Sequence, residues 1–217
     1  MTDYTPPKFN DFEHKDIYLT ELWFYAYGIK NKMSELNKLT TLPEKGYILY
    51  NLPEITDLTL GILSNAANIK KMMLPVARGK SESAWAYTFR VDRCNMIKSF
   101  LSDIDISEIM NSKVRNSLEH FDEYLDEFAI KMMKGIISTK KQNISFNMAT
   151  SELGAHEPPA YPIRQYCAKE KVYYNMDTSV DIGKISHEAM MIHNKFVSLT
   201  DPSNPYDYDY PTGMIIT

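Results

Sequence analysis

Glycine is scarce in this chain, at 8 of 217 residues, and cysteine is rarer still, at two. Little glycine disfavours a fold made of many tight turns, where left-handed backbone is needed. Cys94 and Cys167 stand alone, with no CxxC partner. They indicate neither a zinc site nor a disulfide framework, and both are expected as small buried hydrophobes. No apolar run approaches the roughly 18 residues that a membrane span requires. The polar, acid-bearing start MTDYTPPKFNDFEHKD does not read as a secretory signal, so the cytoplasm is the expected compartment. A basic surplus is missing too. The formal net charge of −4 argues against a protein that coats nucleic acid along a cationic face. It leaves room for an enzyme that grips one or two phosphates in a cleft.

What the chain does hold is bulk, with 15 tyrosines and 13 methionines. Bulky side chains suit packed helices, and the length suits a single domain over residues 1–217. Residues 1–10, with Pro6 and Pro7, read as a flexible arm. Apolar residues at a helical period predict helices from Asp11 to before Leu42-Pro43, over 54–73, over 82–101 and over 111–134. Near Gly135 the period changes. Residues 144–150 and 164–176 carry β-branched and aromatic residues in partial alternation, with a turn at 169–171. They predict a small antiparallel sheet within 142–176, which must pack on the helices. A last helix is expected over 181–199, followed by a Pro- and Tyr-rich tail over 201–217. The fold class is therefore mainly α: an antiparallel helical bundle over 11–135 with a small antiparallel β appendage.

The stretch NSKVRNSLEHFDEYLDEF, residues 111–128, organises that reading. Val114, Leu118, Phe121, Leu125, Phe128 and Met132 recur at steps of four and three, one continuous apolar stripe that other helices are expected to cover. Arg115, Asn116 and His120 flank it. A guanidinium, an amide and an imidazole brought together can bind a phosphate and move a proton. On an unbroken helix Arg115 and His120 point about 140° apart. Two arrangements bring them together. The helix can start at Asn116, with Glu119 completing a capping box, which leaves Arg115 free to swing toward His120. Alternatively, a second copy supplies the other half across a two-fold axis. The plain alternative is that Arg115 pairs with Glu119 and His120 borders the core.

The phrase RNSLEHFDEYLDEF, following amphipathic helices, resembles the HEPN superfamily (higher eukaryotes and prokaryotes nucleotide-binding). Its signature is an Arg, four to six residues, then a His, with a polar residue directly after the Arg. Arg115, Asn116 and His120 match it, and the likeness covers about residues 12–134. The resemblance implies a helical bundle that dimerises through the motif helix, so that two motifs line one groove. It implies a metal-independent endoribonuclease of toxin or antiviral-defence type, with RNA as substrate, no cofactor, and in some members an antitoxin partner. One toxin subfamily has a Tyr two residues after the His; this chain has Asp122 there, a departure from that pairing.

RNA carries its own nucleophile, the 2′-hydroxyl, so cleavage needs a base, an acid and charge stabilisation. Two copies of His120 would divide the proton transfers. Arg115 would stabilise the phosphorane-like transition state by a forked contact, and Asn116 would orient the phosphate or the Arg. The products expected are 2′,3′-cyclic phosphates. The alternative within the same resemblance is a catalytically inactive HEPN-like module that binds a nucleotide or a protein. A third reading is an unrelated helical protein in which the spacing is accidental.

Other candidates rank lower. His187 and His193 are six apart and do not share a helix face, so they make a poor metal pair. His156-Glu157 falls in a Pro-rich loop, and the acidic run from Glu119 to Glu127 reads as a solvated face. Arg90 and Arg93 are expected to pair with acids. Lys131, Lys134, Lys140 and Lys141 either contact RNA backbone or favour the helix C-terminus.

Overall fold

The computed structural model describes residues 8–111, 113, 116, 120–138, 143–154 and 160–197. The tail over 201–217 lies outside the described residues, as do Val114, Arg115, Leu118, Glu119, Lys140, Lys141, His156 and Glu157. The protein is mainly α with a smaller β part. No helix among the described residues is long and apolar enough to cross a membrane.

Local signals set the helix ends. Helix α1 spans Asp16–Leu39 and closes at Thr40, whose hydroxyl donates to the Leu36 carbonyl at 2.7 Å. Helix α2, Pro53–Met73, begins on a proline, which surrenders no helical hydrogen bond at that position, and stops before Pro75. Helix α3, Ala84–Phe100, is capped by Ser83, whose side chain accepts from the Ala86 N–H at 3.1 Å. The arm expected to be flexible is anchored from Phe9 onward. That ring is buried and meets Phe89 of α3 edge-on at 5.1 Å.

Helix α4 spans Phe121–Met133, and α5 spans Ile182–Val197. Asp181 caps α5 by accepting from the Lys184 N–H at 2.7 Å. Gly135, at φ 69, ends α4 in a Schellman turn: its N–H donates to Met132 and that of Ile136 donates back to Lys131, both at 2.9 Å.

The core lies between α1, α2 and α5, with α3 packed on α1 and α2. Leu22, Ala26, Ile29 and Leu36 of α1 meet Ile62, Leu63, Ala66 and Ile69 of α2, and all eight are fully buried. Ile182, Ile185, Ala189 and Ile192 supply the third side at alternating steps of three and four.

Among the described residues, seven short strands form the β part: β1 Leu49–Tyr50, β2 Asn143–Phe146, β3 Ala149–Thr150, β4 Ala160–Ile163, β5 Gln165–Cys167, β6 Val172–Asn175 and β7 Thr178–Asp181. Their order is β1-β3-β5-β6-β7 in one sheet, with β2-β4 as a separate pair. Ala149, Tyr166, Tyr173 and Val180 turn one face of the five-stranded sheet into the helical core.

The antiparallel sheet expected within 142–176 is corrected in two respects. The β5–β6 and β6–β7 pairs are antiparallel, but β2 runs parallel to β4 and β3 parallel to β5. The sheet also reaches outside that range, to β1 and β7. The parallel pairs keep one register: Asn143 sits opposite Ala160 and Ala149 opposite Tyr166. That register carries across an interruption, where Asn147 (φ 51) and Arg164 (φ 52) both take left-handed backbone. Such pairing depends on partners remote in sequence, so alternation within each stretch does not reveal its direction.

Helix α4 is the second correction. It does not run unbroken from residue 111, because His120, at φ −120 and ψ 29, stands outside the regular helix as its N-cap. Nor is its stripe buried among helices. Phe121, Leu125, Phe128 and Met132 are only half-buried, and no residue of α4 is fully buried. Its partners lie in the β part: Phe128 stacks on Tyr161 at 5.5 Å, and Lys131 reaches Asp177 of the β6–β7 turn at 2.8 Å. A helical period specifies that one face is covered, and leaves open by what.

Candidate active site at the start of helix α4

Two of the three residues singled out from sequence fall among the described ones. Asn116 is helical and exposed, and its carbonyl accepts the His120 N–H at 3.4 Å. The two residues are thus one turn apart. Arg115 lies outside the described residues. The His120 ring is open to solvent, with 49% of its side-chain surface accessible, and its Nδ1 stands 3.3 Å from Glu123 Oε2. Because His120 is not held in the regular helix, the 140° divergence computed for an unbroken one does not govern it.

One residue further on, Phe121 turns inward to the strands. The Arg164 guanidinium lies flat on its ring, with Cζ 3.3 Å from the ring centroid. Arg164 sits at the break between β4 and β5, where its left-handed φ aims the side chain off the strand. Its Nε is sealed from solvent and has no hydrogen-bond partner. Beside it is the Tyr173 phenol, which burial pushes above the ordinary tyrosine range while the Arg164 charge pulls the other way. In the sequence, Arg164 is only the first residue of the β-like stretch 164–176. The available signal was a lone cation interrupting the apolar run Tyr161–Ile163 and the buried strand that follows.

Several other candidate groups have structural partners. Arg90 pairs with Glu82 at 2.7 Å, as expected, but Arg93 lies over the Tyr18 ring at 5.6 Å. Lys131 bridges Asp177 and Glu127, and hydrogen bonds to those two carboxylates, Asp177 first, hold its ammonium above the ordinary lysine range. His193 is buried and stacks with Trp23 and Tyr27, both at 5.9 Å, whereas His187 is exposed. Both cysteines are free and buried. Burial pushes the Cys167 thiol up to about 11, so it stays protonated and unreactive near neutrality.

Glu188 is almost wholly buried, and its carboxylate accepts the backbone N–H groups of Glu108 (2.9 Å) and Ile109 (2.8 Å). Those bonds tie the 105–110 segment to α5. Between α1 and α2 a cleft of about 440 Å³ is lined by Glu35, Glu54 and Asp57, a setting that repels phosphate. Among the described residues, no three metal-ligating side chains converge.

Arg164 thus sits over Phe121 in the first turn of α4, and that residue directly follows the solvent-open His120. Comparison of the chain with protein-family models, curated proteins and solved structures gives no match.

Proposed function

We propose that the chain is a metal-independent endoribonuclease of HEPN type, with Arg115, Asn116 and His120 at its reaction centre. The observation that carries this reading is the placement of His120: an imidazole open to solvent, released from the regular helix, one turn from Asn116. A proton-transferring group must be reachable by substrate, and this one is. In the mechanism, one His120 removes the proton of a 2′-hydroxyl as that oxygen attacks the adjacent phosphorus. A second His120, from a partner copy, protonates the departing 5′-oxygen. Arg115 stabilises the charge that builds on the phosphoryl oxygens. The products are a 2′,3′-cyclic phosphate and a 5′-hydroxyl.

The partner copy would meet this one along α4, within a cytoplasmic homodimer whose helices form an antiparallel bundle. In support, Ile130, Met133 and Ile136 expose apolar surface at the far end of that helix, at 50%, 88% and 69%. A second reading, a binding module without catalysis, draws on a different observation. The Glu123 carboxylate already occupies Nδ1 of His120, and Asp122, Asp126 and Glu127 make the outer face of α4 acidic.

Incubation of the purified chain with single-stranded RNA in EDTA separates the two. The nuclease reading expects cleavage to persist in EDTA, to spare DNA of the same sequence, and to fall at least about a hundredfold in His120→Ala. Intact RNA across substrates and pH leaves the binding module.

A further inference from the structure

Arg164 poses a problem that the fold does not solve. A guanidinium is always charged, and a charge drawn partly out of water is stable only when something compensates it. Among the described residues no carboxylate pairs with Arg164, although Arg90, Lys131, Lys169 and Lys195 each have one. What holds Arg164 is a ring face and a phenol. These fix the plane of the guanidinium without neutralising it. Its Nε is sealed without a partner, and the polar contact given for the rest of the guanidinium is a neutral phenol, that of Tyr173. The backbone is held at φ 52, a region that non-glycine residues occupy rarely and that concentrates at functional sites. A strained, stacked and uncompensated arginine is pre-organised for an anion.

We propose that Arg164 is a second phosphate-binding residue of this site, taking a backbone phosphate of the bound RNA beside the one that reacts at His120. The inference rests on the ribonuclease reading for the identity of its ligand. Phe121, which carries the guanidinium on its ring, directly follows His120, so both groups serve neighbouring points on one strand of nucleic acid. The acids of α4 lie on its exposed face, whereas Arg164 approaches from the strand side. RNA would therefore enter along the strand side of α4. A planar fork suits a phosphate with two free oxygens, and stacking reduces the side-chain freedom lost on binding.

The test uses the full chain and a single-stranded 2′-O-methyl RNA oligonucleotide, which cannot be cleaved. Affinity is measured by fluorescence anisotropy over a range of potassium chloride concentrations. Arg164→Asn removes the charge with a residue that tolerates left-handed backbone. It should weaken binding about tenfold and flatten the dependence of log affinity on log salt by about 0.7, the share of one phosphate on a single strand. Arg164→Lys should restore the slope while recovering only part of the affinity.

An unchanged slope in Arg164→Asn, or a wild-type chain that does not bind the oligonucleotide, overturns the proposal. Phenylglyoxal modification of Arg164 in the wild-type chain, mapped by mass spectrometry, needs no variant. Bound oligonucleotide should slow it at least severalfold, and equal rates with and without oligonucleotide also overturn the proposal. Failure of the parent reading looks different. Arg164-dependent binding without cleavage of ordinary RNA removes the nuclease and keeps this site. Cleavage that needs His120, with an unaltered salt slope in Arg164→Asn, does the reverse.

Discussion

Helices α2 and α4 carry apolar stripes of similar period, and the protein treats them in opposite ways. Ile62, Leu63, Ala66 and Ile69 of α2 are wholly buried between α1 and α5. Phe121, Leu125, Phe128 and Met132 of α4 are covered only in part, by a strand, a turn and an arginine. The first arrangement maximises apolar burial and leaves nothing for a ligand. The second forgoes some burial and gains a surface where charged groups stay accessible. On the proposed function, stability and chemistry are allotted to different helices, and each half of that contrast can be tested.

The largest expected effect on folding is in α2. Ile62→Ala should cost about 2–5 kcal/mol, because a sealed site collapses poorly around the missing atoms. Leu125→Ala, on the half-covered stripe of α4, should cost only about 1 kcal/mol. Chemical denaturation of the two variants side by side measures the contrast, and equal losses would mean that α4 is as central as α2. Next comes the end of α4. Gly135→Ala places a Cβ at φ 69 with no atom within 4 Å of it, so the cost is one of backbone conformation alone, about 1 kcal/mol. Amide exchange should quicken in the last turn of α4 and remain unchanged in α2.

The smallest effect separates α5 from both. Burial holds the Glu188 carboxyl above the ordinary glutamate range, while the N–H groups of Glu108 and Ile109 pull it down. The folded chain then binds this proton more tightly than the unfolded chain does. Its contribution is fully present below the unfolded value and is lost as pH rises through the folded one. Relative to Glu188→Gln, the wild-type melting temperature should therefore drop across that window. A difference that does not vary with pH would show the two N–H bonds fully offsetting burial.

The sequence made the main helices readable because their boundaries are written locally. Pro53 opens α2, Pro75 follows its end, Ser83 caps α3, Asp181 caps α5, and Gly135 closes α4. Two-residue strands such as β1 carry no pattern to read. The parallel pairing of β2 with β4 depends on a partner brought from a distance, which no local window contains. At the candidate site, Asn116 and His120 were visible as residue types at a helical spacing. The break at His120 was not, since the residues around it, Glu119-His120-Phe121-Asp122, include neither proline nor glycine. Arg164 escaped for the same reason as the strand pairing. Its relation to Phe121 exists only after the chain has folded back on itself.

The paired interruption at Asn147 and Arg164 carries a consequence for how this protein can vary. Each strand bends at the same rung, so the two bends behave as one joint. Deleting a single residue from either strand would move one bend off its mate and rotate every later side chain to the opposite side of the ribbon. Gln165 and Cys167 would trade places with Tyr166, and the cation at the joint would leave the aromatic ring that supports it. Length changes in this region should therefore be tolerated only in the connections outside the two strands, or as matched changes in both.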